Sequence, residues 1–148
     1  MIFARYPELT ALFAAFIAAS LLKLPIYYLL NRKWNWALVF GTGGMPSSHA
    51  ALITSTTLAI GLFHGFDQPT FALAVAVTMI VVYDAAGVRR QAGIHAERIN
   101  MIIQEIFAGR PLQESDLKVM LGHTPVEVAG GVLTGLACAL LLYLVLPK

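Results

Sequence analysis

Apolar residues along this chain fall into four runs separated by more polar stretches of unequal length. The runs cover residues 9–30, 50–66, 69–88 and 126–146. A helix needs about 20 apolar residues to cross a ~30 Å hydrocarbon core, so the pattern predicts an all-α integral membrane bundle of four spans. The second run is short for a span and predicts little tilt, or a start below the interface in a protein-lined cavity. Between the third and fourth runs the chain turns polar, over residues 91–121. Ile99, Ile102, Ile103 and Ile106 recur there at helical spacing, with Glu97, Arg98, Gln104 and Glu105 elsewhere on the wheel. That periodicity predicts an amphipathic helical insertion on the membrane surface or over the bundle. Gly109 and Pro111 end it, and Ser115 can cap a short helix that Gly122 stops.

Composition supports this reading. Hydrophobic residues make up 58% of the 148 and charged residues 12%, against roughly 45–50% and 25% in soluble domains. The mean hydropathy is +0.74. The length predicts a single membrane domain over 1–148. A net charge of +2 gives no argument for a nucleic acid partner. The lone Cys138 lies in an apolar run, which predicts a lipid-facing or packed thiol and no disulfide framework or zinc set within one chain. Residues 1–7 lack a basic region followed by a short apolar core and a cleavage site, so the first run reads as a retained span.

Several polar residues interrupt the apolar pattern. Lys23 sits inside the first run, where a lysine either serves a function or snorkels to the interface. Asp84 sits near the end of the third run and needs a partner, for which Lys23, Arg89 and Arg90 are candidates; a structural ion pair is the plainer role. The stretch from Asn31 to Trp36 is basic and aromatic, as at a membrane interface, with phosphate contact by Arg32 or Lys33 as the alternative. His64 reads as an ordinary loop histidine and His95 as a surface residue. Gly131 and Gly135, four apart, predict a small-residue face for close helix packing, and so a candidate surface between copies of the chain.

Two stretches carry the candidate chemistry. In Gly122-His123-Thr124-Pro125-Val126-Glu127, Thr124 is placed as N-cap, Pro125 at N1 and Glu127 at N3. His123 then lies just outside a helix and Glu127 one turn inside it. A carboxylate there can accept the imidazole Nδ1–H and leave Nε2 basic; equally, Thr124 and Glu127 can form a capping box alone. The second stretch, Gly41-Thr42-Gly43-Gly44-Met45-Pro46-Ser47-Ser48-His49, opens another apolar segment. Its glycines free the backbone, Ser47 or Ser48 can cap a helix starting near His49, and helix N–H groups suit an anion. The nucleotide-binding pattern G-x4-G-K-[ST] is absent.

Together these stretches resemble the type 2 phosphatidic acid phosphatase superfamily, which carries P-S-G-H and later H-x3-D. Pro46-Ser47-Ser48-His49 resembles the first, with Ser48 in place of Gly. His123 to Glu127 resembles the second, with Glu127 in place of Asp. The run from Asp84 to Gly93 is similar to a third block of the superfamily's divergent small-protein branch. The superfamily's K-x6-R-P block has no clean match, and its S-R-x5-H spacing is absent.

The resemblance implies a membrane lipid phosphatase, acting on a phosphate monoester or diphosphate, with no metal or other cofactor. His123 would be the nucleophile that becomes phosphohistidine, Glu127 its orienting partner and His49 the leaving-group acid. Arg89, Arg90, Ser47, Ser48, Gly44 and Lys23 would bind phosphate. Two histidines and a carboxylate could instead bind a divalent metal, a lesser fit beside so many basic residues. The alternative function is a non-catalytic lipid-phosphate binder or small transporter. Four alternating spans would put seven basic loop residues, with the site, on one side, and Arg5 and Lys148 on the other. That asymmetry predicts a prokaryotic inner or plasma membrane protein with a cytoplasmic site.

Overall fold

The computed structural model of the chain describes residues 5–40, 43–106 and 124–146. Six helices occur among them and no strand: α1 (Pro7–Asn31), α2 (Ala37–Phe40), α3 (Ser48–His64), α4 (Pro69–Ala86), α5 (Val88–Ile106) and α6 (Pro125–Val145). Prolines open α1, α4 and α6 in the first helical turn, where a missing N–H costs nothing. A turn at Phe66 and Asp67 and a bend at Gln68 lead into Pro69.

Three helices are long and apolar enough to cross a membrane: α1, α4 and α6. The expected fourth span is not shown. The run from residue 50 to 66 folds as α3, whose 17 residues rise only about 25 Å at 1.5 Å each. It is also the helix least suited to face lipid. Its buried residues are Ser48, Ala50, Ala51, Thr54, Ser55, Thr57, Ala59 and Gly61, small or hydroxylated side chains that let three neighbours approach closely. On α4, by contrast, Ala85 is the one residue buried.

Side-chain contacts fix the helix directions. Ser48 Oγ lies 3.3 Å from Ser20 Oγ, and Ser55 Oγ donates to the Ala11 carbonyl at 3.1 Å, so α1 runs antiparallel to α3. Thr57 Oγ1 lies 2.7 Å from Thr78 Oγ1, and seven residues earlier on α3 Ala50 packs with Ala85, so α4 is also antiparallel to α3. The third neighbour, α6, runs parallel. A Cβ on Gly131 would meet the Ser47 carbonyl oxygen and lie 2.9 Å from Ala50 Cβ; one on Gly135 would meet the Ala51 carbonyl oxygen and lie 3.0 Å from Thr54 Cβ. Only a hydrogen fits at either position.

This corrects one expectation. The Gly131/Gly135 face is buried inside the chain against α3, so it offers no surface to a second copy. Cys138 is half-buried and packs against the alanine cluster of Ala15, Ala19 and Ala51, which settles its role as packed.

With these directions, the C-termini of α1 and α4 and the N-termini of α3 and α6 gather at one end of the bundle. At the other end His64, expected in a loop, is instead the last residue of α3, with Nε2 3.1 Å from Glu8 Oε2. The amphipathic segment forms α5, beginning at Val88 and preceded by Gly87. Among the described residues α5 packs only against α4, and Ile99, Ile102 and Ile106 are exposed. His95 is exposed, as expected. The predicted short helix from Ser115 to Gly122 lies outside the described residues.

Candidate functional site

Sequence places the two candidate blocks 80 residues apart, and the backbone joins them. The Ser47 N–H donates to the Glu127 carbonyl at 2.9 Å. Gly130 assists: a Cβ there would lie 3.2 Å from Met45 Cε and 3.6 Å from Pro46 Cβ. Close approach of α6 therefore places Thr124 to Glu127 directly against the segment that opens α3.

The capping box at the start of α6 is complete. The Thr124 N–H donates to Glu127 Oε2 at 2.9 Å, and the Glu127 N–H donates to Thr124 Oγ1 at 3.3 Å. These bonds fix the first turn of α6 and hold the Glu127 carboxylate at its rim. His123, the expected nucleophile, lies outside the described residues.

The serines serve the fold. Ser47 is the N-cap of α3, its Oγ accepting from the Ala50 N–H at 3.3 Å, so the helix begins at Ser48, one residue earlier than expected. Ser47 and Ser48 are buried, at 0% and 4% exposure, with the Ser48 hydroxyl facing Ser20. As phosphate ligands they are therefore misplaced: both hydroxyls point into helix contacts.

Lys23 gives the clearest geometric result. It is 2% exposed, so it does not snorkel to the surface. It lines a cavity of about 330 Å³ together with Ile26, Tyr27, Leu30, Gly44 and Glu127, whose wall is completed by Asn31, Leu38 and Met45. Glu127 stands on the wall of the same cavity, and its carboxylate contributes to the electrostatic environment of Lys23. Gly44 has φ 89°, in the left-handed region. A Cβ there would stand 3.6 Å from Leu38 Cδ2 and 3.9 Å from Lys23 Cδ, so the bare backbone keeps the cavity floor open beside the lysine stem.

The remaining expected residues are spread around the same end. His49 is half-buried at the second position of α3 and is not among the residues lining the Lys23 cavity. Its neighbour Ala50 packs with Ala85, so His49 and Asp84 flank one α3–α4 contact. Arg89 and Arg90 fall in the first turn of α5; their side chains lie outside the described set. Arg32 and Lys33 are exposed, beside a stack in which the rings of Tyr28 and Trp34 lie 4.7 Å apart and those of Trp34 and Trp36 lie 6.2 Å apart. No group of three His, Cys, Asp or Glu that could hold a metal ion occurs among the described residues.

Sequence reasoning missed the cavity as a unit. Its signal was the spacing of Lys23, Ile26, Tyr27, Leu30 and Asn31, which are i, i+3, i+4, i+7 and i+8 on one face of α1.

Comparisons with known proteins agree with the motif reading. Residues 5–138 match the Divergent PAP2 family. The chain is 39% identical over 149 positions to the uncharacterized membrane protein YuiD of Bacillus subtilis (strain 168), covering 93% of this chain and 94% of that one. No solved structure matches it. Three apolar helices and a membrane-protein relative make this a membrane protein. Matched over most of its length, and carrying the described residues of both motif blocks at one end of its bundle, the chain belongs to the Divergent PAP2 family.

Proposed function

We propose that this protein is a lipid phosphatase whose site lies at the bundle end that holds Lys23, Gly44 and Glu127. The observation that carries the reading is the Ser47-to-Glu127 backbone hydrogen bond of 2.9 Å. It locks the two blocks that resemble the superfamily's catalytic motifs to each other, at the wall of a cavity with a buried lysine.

In this reading the substrate phosphate sits against Lys23 and the open backbone at Gly44. Lysine has three N–H donors, so it can serve both Glu127 and a phosphate oxygen. His123 Nε2 attacks phosphorus, the lipid oxygen leaves with a proton from His49, and water then hydrolyses the phosphohistidine. Glu127 supports the imidazolium while its Oε2 keeps the capping box. Arg89 and Arg90 supply further charge for the transferring phosphoryl group. Ser47 and Ser48 act by shaping the loop, not by touching phosphate.

On an alternating arrangement of the four long apolar runs, the seven-against-two distribution of basic residues supports a cytoplasmic face for this end. A thiol introduced at Arg110 is then protected from an impermeant reagent added to intact cells; labelling from outside overturns the sidedness.

The test of function is phosphate release by purified protein in nanodiscs, over phosphatidic acid, phosphatidylglycerol phosphate and polyprenyl phosphates. Turnover is expected with at least one of them. In His123→Ala it should fall by about a thousandfold or more, the scale of losing a covalent nucleophile. Equal rates in wild type and variant reject the mechanism.

A second reading, a lipid-phosphate binder without turnover, is favoured by one observation. The serine hydroxyls and one carboxylate oxygen at this end already serve helix caps and packing. Saturable binding of a lipid phosphate with no phosphate release would establish it.

A further inference from the structure

Only Gly87 separates α5 from α4, so α5 starts where a helix of membrane-crossing length ends. The same end of the bundle carries the stacked rings of Tyr28, Trp34 and Trp36. Trp34 and Trp36 are 58% and 69% exposed, as in the aromatic belt of a membrane–water interface. At about 100° per residue, three sectors run along α5. On one flank Gly93 is buried and Ala96, Asn100 and Ile103 are half-buried. On the adjoining flank Ile99, Ile102 and Ile106 lie within about 60° of one another, and they are 44%, 54% and 70% exposed. Exposed Glu97 stands about 170° from the centre of that stripe, and exposed Met101 and Arg98 complete the third sector.

Three other courses for α5 meet physical objections. Running back along α4, it would carry Arg89, Arg90, Glu97, Arg98 and Glu105 into hydrocarbon, where charged side chains are costly. Laid across the bundle end, it would rest its isoleucines on α1, α3 or α6, yet among the described residues it packs only against α4. Pointing along the membrane normal, a helix of about 28 Å would hold the whole isoleucine stripe in water. We infer that α5 lies in the plane of the membrane, with one flank on the protein and the stripe of Ile99, Ile102 and Ile106 docked on the bilayer, at the boundary of head groups and acyl chains. The occupant is lipid and not a second copy, because the stripe adjoins α4, an apolar helix on which Ala85 alone is buried. Lipid that surrounds α4 is thus already beside α5. A narrow apolar face opposite a charged one, on a helix too polar to span, is the form that interfacial helices take. The seat also sets the height of the first turn of α5, which carries Arg89 and Arg90. The proposal stands apart from the phosphatase reading, since it concerns where this helix lies and not what the site turns over.

Spin-label depth measurements test this without relying on turnover. The full chain, with Cys138→Ala to remove its native thiol, receives one label at a time through Ile99→Cys, Ile102→Cys, Ile106→Cys or Glu97→Cys. Val77→Cys, at the middle of α4, marks the depth of a span. Each variant is placed one chain per nanodisc of phosphatidylcholine and phosphatidylglycerol. Collisions with oxygen, which gathers in hydrocarbon, and with a nickel chelate, which stays in water, are then compared. The three isoleucine positions should share one depth, about 5–10 Å into the head-group and acyl boundary. That is shallower than Val77→Cys, while Glu97→Cys should collide freely with the chelate. If one stripe variant fails to fold, the other two carry the test. A depth that changes by about 10 Å from residue 99 to residue 106 means that α5 runs along the normal and overturns the in-plane assignment. A reading equal to that of Glu97→Cys puts the stripe in water, one equal to that of Val77→Cys makes α5 a span, and exclusion of both reagents puts protein on the stripe. Each of these overturns the docking on lipid.

Discussion

The two ends of the bundle carry similar ingredients in different settings. Each has a cavity, a carboxylate and a basic side chain. At one end Lys23 and Glu127 line about 330 Å³; at the other, Glu8 and His64 line about 440 Å³ with Ile60, Gln68 and Thr70. The difference is burial and attachment. His64 and Glu8 have side chains 48% and 21% exposed, and they join only the tips of α1 and α3. Lys23 is 2% exposed, and Glu127 belongs to a helix start that is capped by Thr124 and bonded through its carbonyl to Ser47. An exposed pair is screened and contributes little, whereas a buried ammonium is costly unless paired and hydrogen-bonded. A cavity and a pair of charges therefore do not mark a site by themselves. The larger cavity lies at the end without the motif blocks.

Substitutions can break this contrast. The largest effect is expected from Gly131→Leu, which forces a side chain into the Ser47 carbonyl and Ala50. Overpacking of this kind costs about 1–3 kcal/mol and more when backbone must move. Thermal unfolding in detergent should show a markedly lower Tm and loss of all site function together. An unchanged Tm would mean that α6 does not pack on α3 as described.

Lys23→Met comes next. It keeps length and removes a charge that is 2% exposed, which relieves the desolvation of the ammonium, while Glu127 is half-buried and keeps its bond from Thr124, so Tm should stay close to wild type. Turnover should fall by about a hundredfold, as for loss of a charged contact to phosphate. Activity near wild type would leave Lys23 with a packing role only.

Glu127→Gln should have a smaller effect. Glutamine still serves a capping box, so stability should hold, while weaker support of a charged imidazole lowers turnover by about tenfold. Hydrolysis at the wild-type rate would make Glu127 a cap and nothing more. The smallest effect belongs to the far end. His64→Gln should shift stability by less than about 1 kcal/mol, as for exposed ion pairs, and leave turnover within twofold. A large loss there would move function to the end that lacks the motif blocks.

The capping box was readable because it is local: Thr124, Pro125 and Glu127 fix it within one turn. The spans of α1, α4 and α6 were readable for the same kind of reason, since length and hydropathy act along the chain. The choice between snorkelling and burial for Lys23 was not, because both use the same residue at the same depth. What decides it is the packing of α2 on α1, with Leu38, Gly44 and Met45 lining the cavity beside Lys23, a contact between parts of the chain with no shared periodicity. Likewise, the spacing of Gly131 and Gly135 announced a close helix approach but could not name the partner.

The sequence by itself thus determined an apolar helical protein, its helix starts and the residue types able to handle phosphate, because these depend on composition, period and immediate neighbours. Tertiary structure alone decided that α3 is the buried centre, that Ser47 and Ser48 hold helices, and that Lys23 and Glu127 line one groove. Those outcomes depend on which small residues let two backbones touch, and that is a property of pairs of helices.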